Sequence, residues 1–182
     1  GKTMNIEQAK LVVTQKLNSF DIYDLITGSD FHKDFPEAFH DGEGNAERRK
    51  AFHDAMFWAR EQEFLARSLY NPIDDLEVGD GITLCGYSDQ SAYTIIKRTK
   101  KTITLQRDNA KLLNMDDLKF HIGGFSAHCS NQGAQEYDYT QDADGYCTQI
   151  RRRQTGAWKT TGQTSGAMRA TVGRHEFYDY NF

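Results

Sequence analysis

Three stretches place a histidine between aromatic and acidic residues: Phe31-His32-Lys33-Asp34, Phe39-His40-Asp41 and Phe52-His53-Asp54. Adjacent His and Asp side chains ligate a divalent ion in metal-dependent phosphohydrolases, so His32, His40, Asp41, His53 and Asp54 form one candidate set. That chemistry needs further ligands from separate long helices, and the helical signal here ends near residue 70. A histidine beside an aspartate at a helix edge more commonly caps or makes a surface hydrogen bond. His121, His128, Cys129 and Cys147 are of zinc-ligand type, but their spacings match no compact ligand pair, and Cys85 has no neighbour. Buried free thiols are the simpler reading. No GxSxG, P-loop or GxGxxG is present. With no nucleophile-and-base pair and no cofactor cradle, the sequence reads as a binding protein that is not an enzyme and carries no cofactor.

Basic and aromatic residues point elsewhere. Lys97, Arg98, Lys100 and Lys101 crown the tip of an expected hairpin, with Tyr93 and Arg107 further along it. Arg151, Arg152 and Arg153 fall in an expected strand, so Arg151 and Arg153 face one way and Arg152 the other. Tyr146 precedes them and Trp158 follows on the next strand. Arginines beside aromatic rings grip phosphates and stack on bases in several small barrel modules, which makes these eleven residues the candidate partner or RNA site. The plain alternative is a solvated face whose charges keep the chain in solution. The acidic run Asp74-Asp75-Leu76-Glu77 with Asp80 reads chiefly as a solvated linker; its other reading is a set of carboxylates standing where a nucleic-acid-binding protein expects phosphates.

The elements that must position these groups are of two kinds. Asn5 to Asn18 has helical spacing, with Ile6, Ala9, Lys10, Val13 and Leu17 on one side and Glu7 in the first turn. Phe20 to Ile26 is a short apolar segment, broken by Thr27-Gly28-Ser29-Asp30, whose Ser and Asp suit the cap of a next short helix near Pro36. Residues 41–45 form a loop. Ala46 to Leu69 is the longest helical signal, stopped by Asn71-Pro72. Its expected buried stripe is Phe52, Ala55, Met56, Ala59, Leu65 and Leu69. Phe57, Trp58 and Phe64 widen the stripe enough to suggest packing on two sides, against the β part or a second chain.

From Val78 the apolar period falls to two. Ile82 to Tyr87, Tyr93 to Arg98 and Thr102 to Arg107 are expected strands; Lys111 to Lys119 is a helical turn or a loop. Glu136 to Thr140, Gly145 to Arg153 and Gly156 to Thr160 read as a three-strand meander. Ala167 to Val172 and Glu176 to Tyr180 read as a last hairpin through Gly173-Arg174. The expectation is an α+β chain: helices over residues 1–76, then an antiparallel β-meander over 77–182 that closes into a small SH3-like barrel.

Charge divides along the same line. Residues 1–76 carry 9 Lys and Arg against 14 Asp and Glu, and residues 77–182 carry 13 against 12, giving the net −4. A mildly acidic chain is not held to nucleic acid by bulk charge, so local clusters must do it. No run of about 18 apolar residues is present to span a membrane. Three unpaired-looking cysteines and the absence of an N-terminal apolar segment predict a cytoplasmic protein.

The stretch from Val78 to Phe182 resembles a family of small proteins encoded by phages and mobile elements of Gram-positive bacteria. The resemblance is carried by Val78-Gly79-Asp80-Gly81-Ile82-Thr83, Asp89, Ala92-Tyr93-Thr94, Lys101-Thr102-Ile103 and Gln106-Arg107-Asp108. It continues through Arg151-Arg152-Arg153, Gly156-Ala157-Trp158-Lys159 and Gly162, and ends in Val172-Gly173-Arg174-His175-Glu176-Phe177-Tyr178-Asp179-Tyr180. Some longer relatives with a helical N-terminal part look like anti-CRISPR proteins that inhibit the type II RNA-guided effector nuclease. The resemblance therefore implies evasion of a host defence by binding that nuclease or its guide RNA. It assigns no residue a role. A stand-alone phage nucleic-acid-binding module and the metal-dependent phosphohydrolase are the alternatives.

Overall fold

The structure is a computed structural model that describes residues 3–35, 46–123, 126–162 and 166–182. Helices come first and antiparallel strands follow, six of them closing a barrel. The chain divides into two units, Gly1–Pro72 with Gln154–Gly156, and Ile73–Arg153 with Ala157–Phe182. Among the described residues no helix is long and apolar enough to cross a membrane.

Among its described residues the first unit holds four α-helices: α1 (Ile6–Gln15), α2 (Ser19–Thr27), α3 (Phe31–Asp34) and α4 (Ala46–Leu69). The expected single helix over Asn5 to Asn18 is shorter, because each asparagine is a cap. Asn5 Oδ1 accepts from the Gln8 amide at 2.9 Å while Gln8 Oε1 accepts from the Asn5 amide at 3.0 Å, a reciprocal capping box. Lys16 then turns left-handed at φ +52°, and Asn18 caps α2 through the Phe20 and Asp21 amides. At α3 the capping group is not the adjacent Ser or Asp. The Asp24 carboxylate, seven residues back, accepts from the Phe31 amide at 2.8 Å and holds His32 Nδ1 at 2.9 Å. Pro36 and the 41–45 loop lie outside the described residues.

Helix α4 buries Met56, Ala59 and Ala66, the last packing with Ala9, Val12, Ile22, Ile26 and Tyr70. Trp58 also belongs to this core, with its ring edge-on to Tyr23 at 5.4 Å, and Phe52 stacks on Phe31 at 5.9 Å. The broad stripe read from the sequence is therefore two features. Leu65 and Leu69 sit at its exposed margin, and Phe57 and Phe64, 67% and 75% exposed, share the opposite face seven residues apart.

In the second unit the barrel strands are β1 (Gly81–Cys85), β2 (Gln90–Arg98), β3 (Thr102–Arg107), β8 (Cys147–Arg152), β9 (Trp158–Thr160) and β10 (Arg169–Val172). Around the barrel they run β1-β2-β3-β8-β9-β10 and back to β1, the order of the chain itself. Every strand has two partners, so no edge remains open. Ile82, Leu84, Tyr93, Ile95, Ile103, Leu105, Ile150, Trp158 and Ala170 fill the interior, and Ile73 from the 3₁₀ turn Pro72–Asp75 joins them. The ladder between β2 and β3 slips between Ile95 and Lys97, a bulge that leaves Ile96 40% exposed.

Closure corrects two readings of the sequence. The segment Glu136 to Thr140 is not part of a meander with Gly145 to Arg153. It forms β7 (Tyr137–Thr140), paired with β4 (Asn109–Leu112), because both edges of β8 are taken by β3 and β9. The stretch Lys111 to Lys119, expected as a helical turn or a loop, holds the 3₁₀ turn Met115–Asp117, and strand β4 overlaps only its first two residues. A second small sheet pairs β5 (Phe120–Gly123) with β6 (Ser126–Cys129). Likewise β10 has no free edge for a hairpin with Glu176 to Tyr180. Gly173, at φ +86°, turns the chain away, and residues 173–181 cross the unit as a strap.

Side chains tie that strap down. Arg174 Nε donates to Asp108 Oδ2 at 2.8 Å, and Arg107 reaches Glu176 Oε1 at 2.5 Å. Thr83 Oγ1 donates to the Gly173 carbonyl and accepts from the His175 amide, both at 2.7 Å. The amides of Asp179 and Tyr180 donate to Asp89 Oδ1 and Gln132 Oε1, and Asn181 brackets the backbone of the buried Cys129. A Cβ on Gly81 would lie 2.6 Å from Arg174 Cγ, which explains the glycine there.

Beneath the strap, Tyr137 donates its hydroxyl to Gln135 Oε1, whose amide holds the Tyr178 carbonyl. Burial, aided by the neighbouring Tyr180 and Glu176, pushes its phenol from 10.0 up to about 12. A raised phenol keeps its proton in the folded chain where the unfolded chain has lost it. That stability is fully present below pH 10 and drains away as pH climbs toward 12. Tyr137→Phe is expected to lessen the alkaline loss and to remove a late phenolate step from the ultraviolet titration. Identical alkaline curves for the two proteins would refute this.

Candidate nucleic-acid interface

The structure divides the eleven sequence-picked residues into those that build the barrel and those that face outward. Trp158 is fully buried, and its indole donates to Asp74 Oδ1 at 2.8 Å. Arg152 grips the same carboxylate from two sides, Nε to Oδ1 at 2.9 Å and Nη2 to Oδ2 at 3.1 Å. Arg98 lies over the Trp158 ring at 5.9 Å and donates to the carbonyls of Ile73 and Leu76, fastening the 3₁₀ turn. Tyr93 is a core residue whose burial pushes its phenol up, with Arg107 5.7 Å from the ring pulling the other way. Arg107 also donates to the Ala92 carbonyl at 2.9 Å. These five residues are buried or half-buried and help hold the scaffold together.

Lys97, Lys100, Lys101, Tyr146, Arg151 and Arg153 are exposed. Of these, Arg153 donates weakly to the Thr160 carbonyl at 3.4 Å. Arg151 matters most, because of what register places beside it. In the ladders Arg151 stands opposite Lys159, and Lys159 stands opposite Arg169. Three cations thus lie abreast on β8, β9 and β10, their backbones spanning about 10 Å at the usual strand spacing. The inward neighbours Ile150 and Ala170 fix the orientation, since alternate residues face opposite sides and both are core.

The sheet around this row is short of carboxylates. Strands β3, β8, β9 and β10 contain no aspartate or glutamate. Among the described residues no salt bridge reaches Arg151, Lys159 or Arg169, while Arg107, Arg152 and Arg174 are all paired. Like charges directly opposite across strands destabilise a sheet by a few tenths of a kcal/mol, about 0.2–1 per pair. Among the described residues their charges add no ion pair to the fold, whereas a polyanion seated across the strands would relieve the repulsion. Sequence reasoning singled out Arg151 but missed Lys159 and Arg169 as its companions. Eight and ten residues separate the three, and only the register connects them.

Among the described residues the metal-ligand candidates have other engagements. His32 is engaged by Asp24, and Asp54 pairs with Lys50 at 2.7 Å. His53 lies at the edge of the Phe52 ring, while His40 and Asp41 fall outside the described residues. His121 and His128 face each other across β5 and β6, with His121 Nε2 3.0 Å from Ser130 Oγ. Cys85, Cys129 and Cys147 are free thiols, one partly buried, one buried and one exposed. Among the described residues no three His, Cys, Asp or Glu side chains come together in a metal-holding group. Searches of family models, curated proteins and solved structures return no match to this chain.

Proposed function

We propose that this chain is a binding protein that grips a nucleic-acid backbone with the outer face of its barrel. On this reading the nucleic acid is the guide RNA of a type II RNA-guided effector nuclease, which the chain inhibits in the cytoplasm of a bacterium hosting a phage or mobile element. The observation that carries the binding half is the unpaired row Arg151, Lys159 and Arg169. The resemblance of residues 78–182 to the mobile-element family supports the identity of the partner. The rival route, carboxylates of the 74–80 segment mimicking DNA phosphates in the nuclease channel, is weakened because Asp74 is spent on Arg152 and Trp158. Asp80 is likewise engaged, by the Glu77 amide.

The test mixes the full chain with guide-loaded nuclease, then scores complex formation and DNA cleavage. Inhibition and a salt-sensitive complex are expected. Lys159→Ala or Arg169→Ala should each lower the slope of log affinity against log salt by about 1, the share of one phosphate contact. Unchanged cleavage with no complex at excess inhibitor ends the proposal. Binding of free RNA equal to that of the loaded nuclease favours instead a stand-alone nucleic-acid-binding module on the same face.

A further inference from the structure

Resting on that reading, the inference concerns which form of nucleic acid the row accepts. The ladder continues past Arg169 to Cys85 of β1, its direct partner. Two residues on, in the turn closed by the Gly86 amide on the Asp89 carbonyl, stands Tyr87. Its side chain is 94% exposed, and its ring meets that of Phe182, 87% exposed, edge-on at 5.4 Å. The segments that carry the rings are fastened near them: Asp89 Oδ1 accepts from the Asp179 amide, and the Asn181 side chain binds the Cys129 backbone with both of its amide-group atoms.

We infer that the row and the Tyr87–Phe182 pair form one continuous site for a single-stranded polynucleotide, phosphates on Arg151, Lys159 and Arg169 and an unpaired base on the aromatic pair. Three strand steps, about 14 Å, separate the Arg151 backbone from that of Cys85, so the cations and the rings are within reach of one short strand. A cationic track leading to exposed rings is the general means of holding single strands, because every base has a face to stack while the phosphates supply the charge. The rings offer nothing to a duplex, whose bases are already stacked on each other. Asp89 and Asp179, close to the rings in sequence, each accept from a backbone amide, and their charge would repel a phosphate but not a base.

Anisotropy of a labelled short oligouridine and of a labelled short RNA duplex, titrated with the full chain at low salt, separates the possibilities. The single strand is expected to bind more tightly than the duplex. Tyr87→Ala should weaken the single strand by about tenfold and leave the duplex unchanged. Tyr87→Trp, which keeps a stacking face, should bind the single strand at least as well as the parent. Arg169→Ala should weaken both and reduce both salt slopes. If strand and duplex bind equally and Tyr87→Ala changes neither, the inference falls while the backbone-gripping reading stands. If neither RNA binds and the guide-loaded nuclease is not bound either, that reading falls and takes the inference with it.

Discussion

Asp108→Ala is expected to destabilise the barrel unit by about 3–5 kcal/mol, the cost of breaking a buried ion pair from one side. The carboxylate is only 1% exposed and serves two donors, Thr94 Oγ1 at 2.5 Å and Arg174 Nε at 2.8 Å. Arg174 also donates to Thr94 Oγ1 at 2.7 Å, so the three side chains form a closed loop of hydrogen bonds. Removing the acid leaves a largely covered guanidinium with no counter-charge and loosens the strap at its root. Deleting both charges should cost less than deleting one. Asp108→Ala combined with Arg174→Met is expected to be more stable than Asp108→Ala alone, because no uncompensated charge remains. The measurement is chemical denaturation followed by Trp158 fluorescence in a Trp58→Phe background, which confines the signal to the barrel unit. A double variant no better than the single one would show that the strap's charges act independently.

The same network bears on what the sequence could reveal. The α+β class was legible because the apolar period changes from helical to alternating at Val78, and α4 was readable from end to end because nothing breaks it before Asn71-Pro72. β3 was equally clear, since Thr102, Thr104 and Gln106 alternate with apolar Ile103 and Leu105. The pairings of β7 and of the C-terminal strap were not legible. Composition says that a segment is extended, but not that the neighbouring strand's edges are already occupied. A similar limit applies to the site. Many residues that carry the family resemblance, among them Gly81, Arg107, Asp108, Trp158, Arg174 and Glu176, are ones the structure uses to close the barrel and fasten the strap. Arg151 and Lys159 lie within the resembling stretches and Arg169 lies outside them, so the cationic row emerges only when three strands are laid side by side.

Arg151→Ala and Arg152→Ala, one residue apart, are expected to fail in opposite ways. Strand alternation turns Arg151 outward to Lys159 and turns Arg152 toward Asp74 and Trp158. Loss of Arg152 takes two charge-assisted hydrogen bonds from Asp74, which is three-quarters covered, while the indole N–H still donates to it. The expected cost is about 3 kcal/mol, with RNA affinity and salt slope unchanged in the folded fraction. Loss of Arg151 removes an exposed side chain with no ion pair, so stability should hold within about 0.5 kcal/mol while the salt slope falls by about 1. Asp74→Ala is the sharper form of the first result. It takes the carboxylate away from both the guanidinium and the indole of a fully buried tryptophan, and the expected loss exceeds that of Arg152→Ala. Denaturation curves paired with RNA titrations on these three variants decide the matter. Should Arg152→Ala lower the salt slope as much as Arg151→Ala, the division of the arginines into one that builds and one that binds is wrong, and with it the placement of the interface on the outer face of β8, β9 and β10.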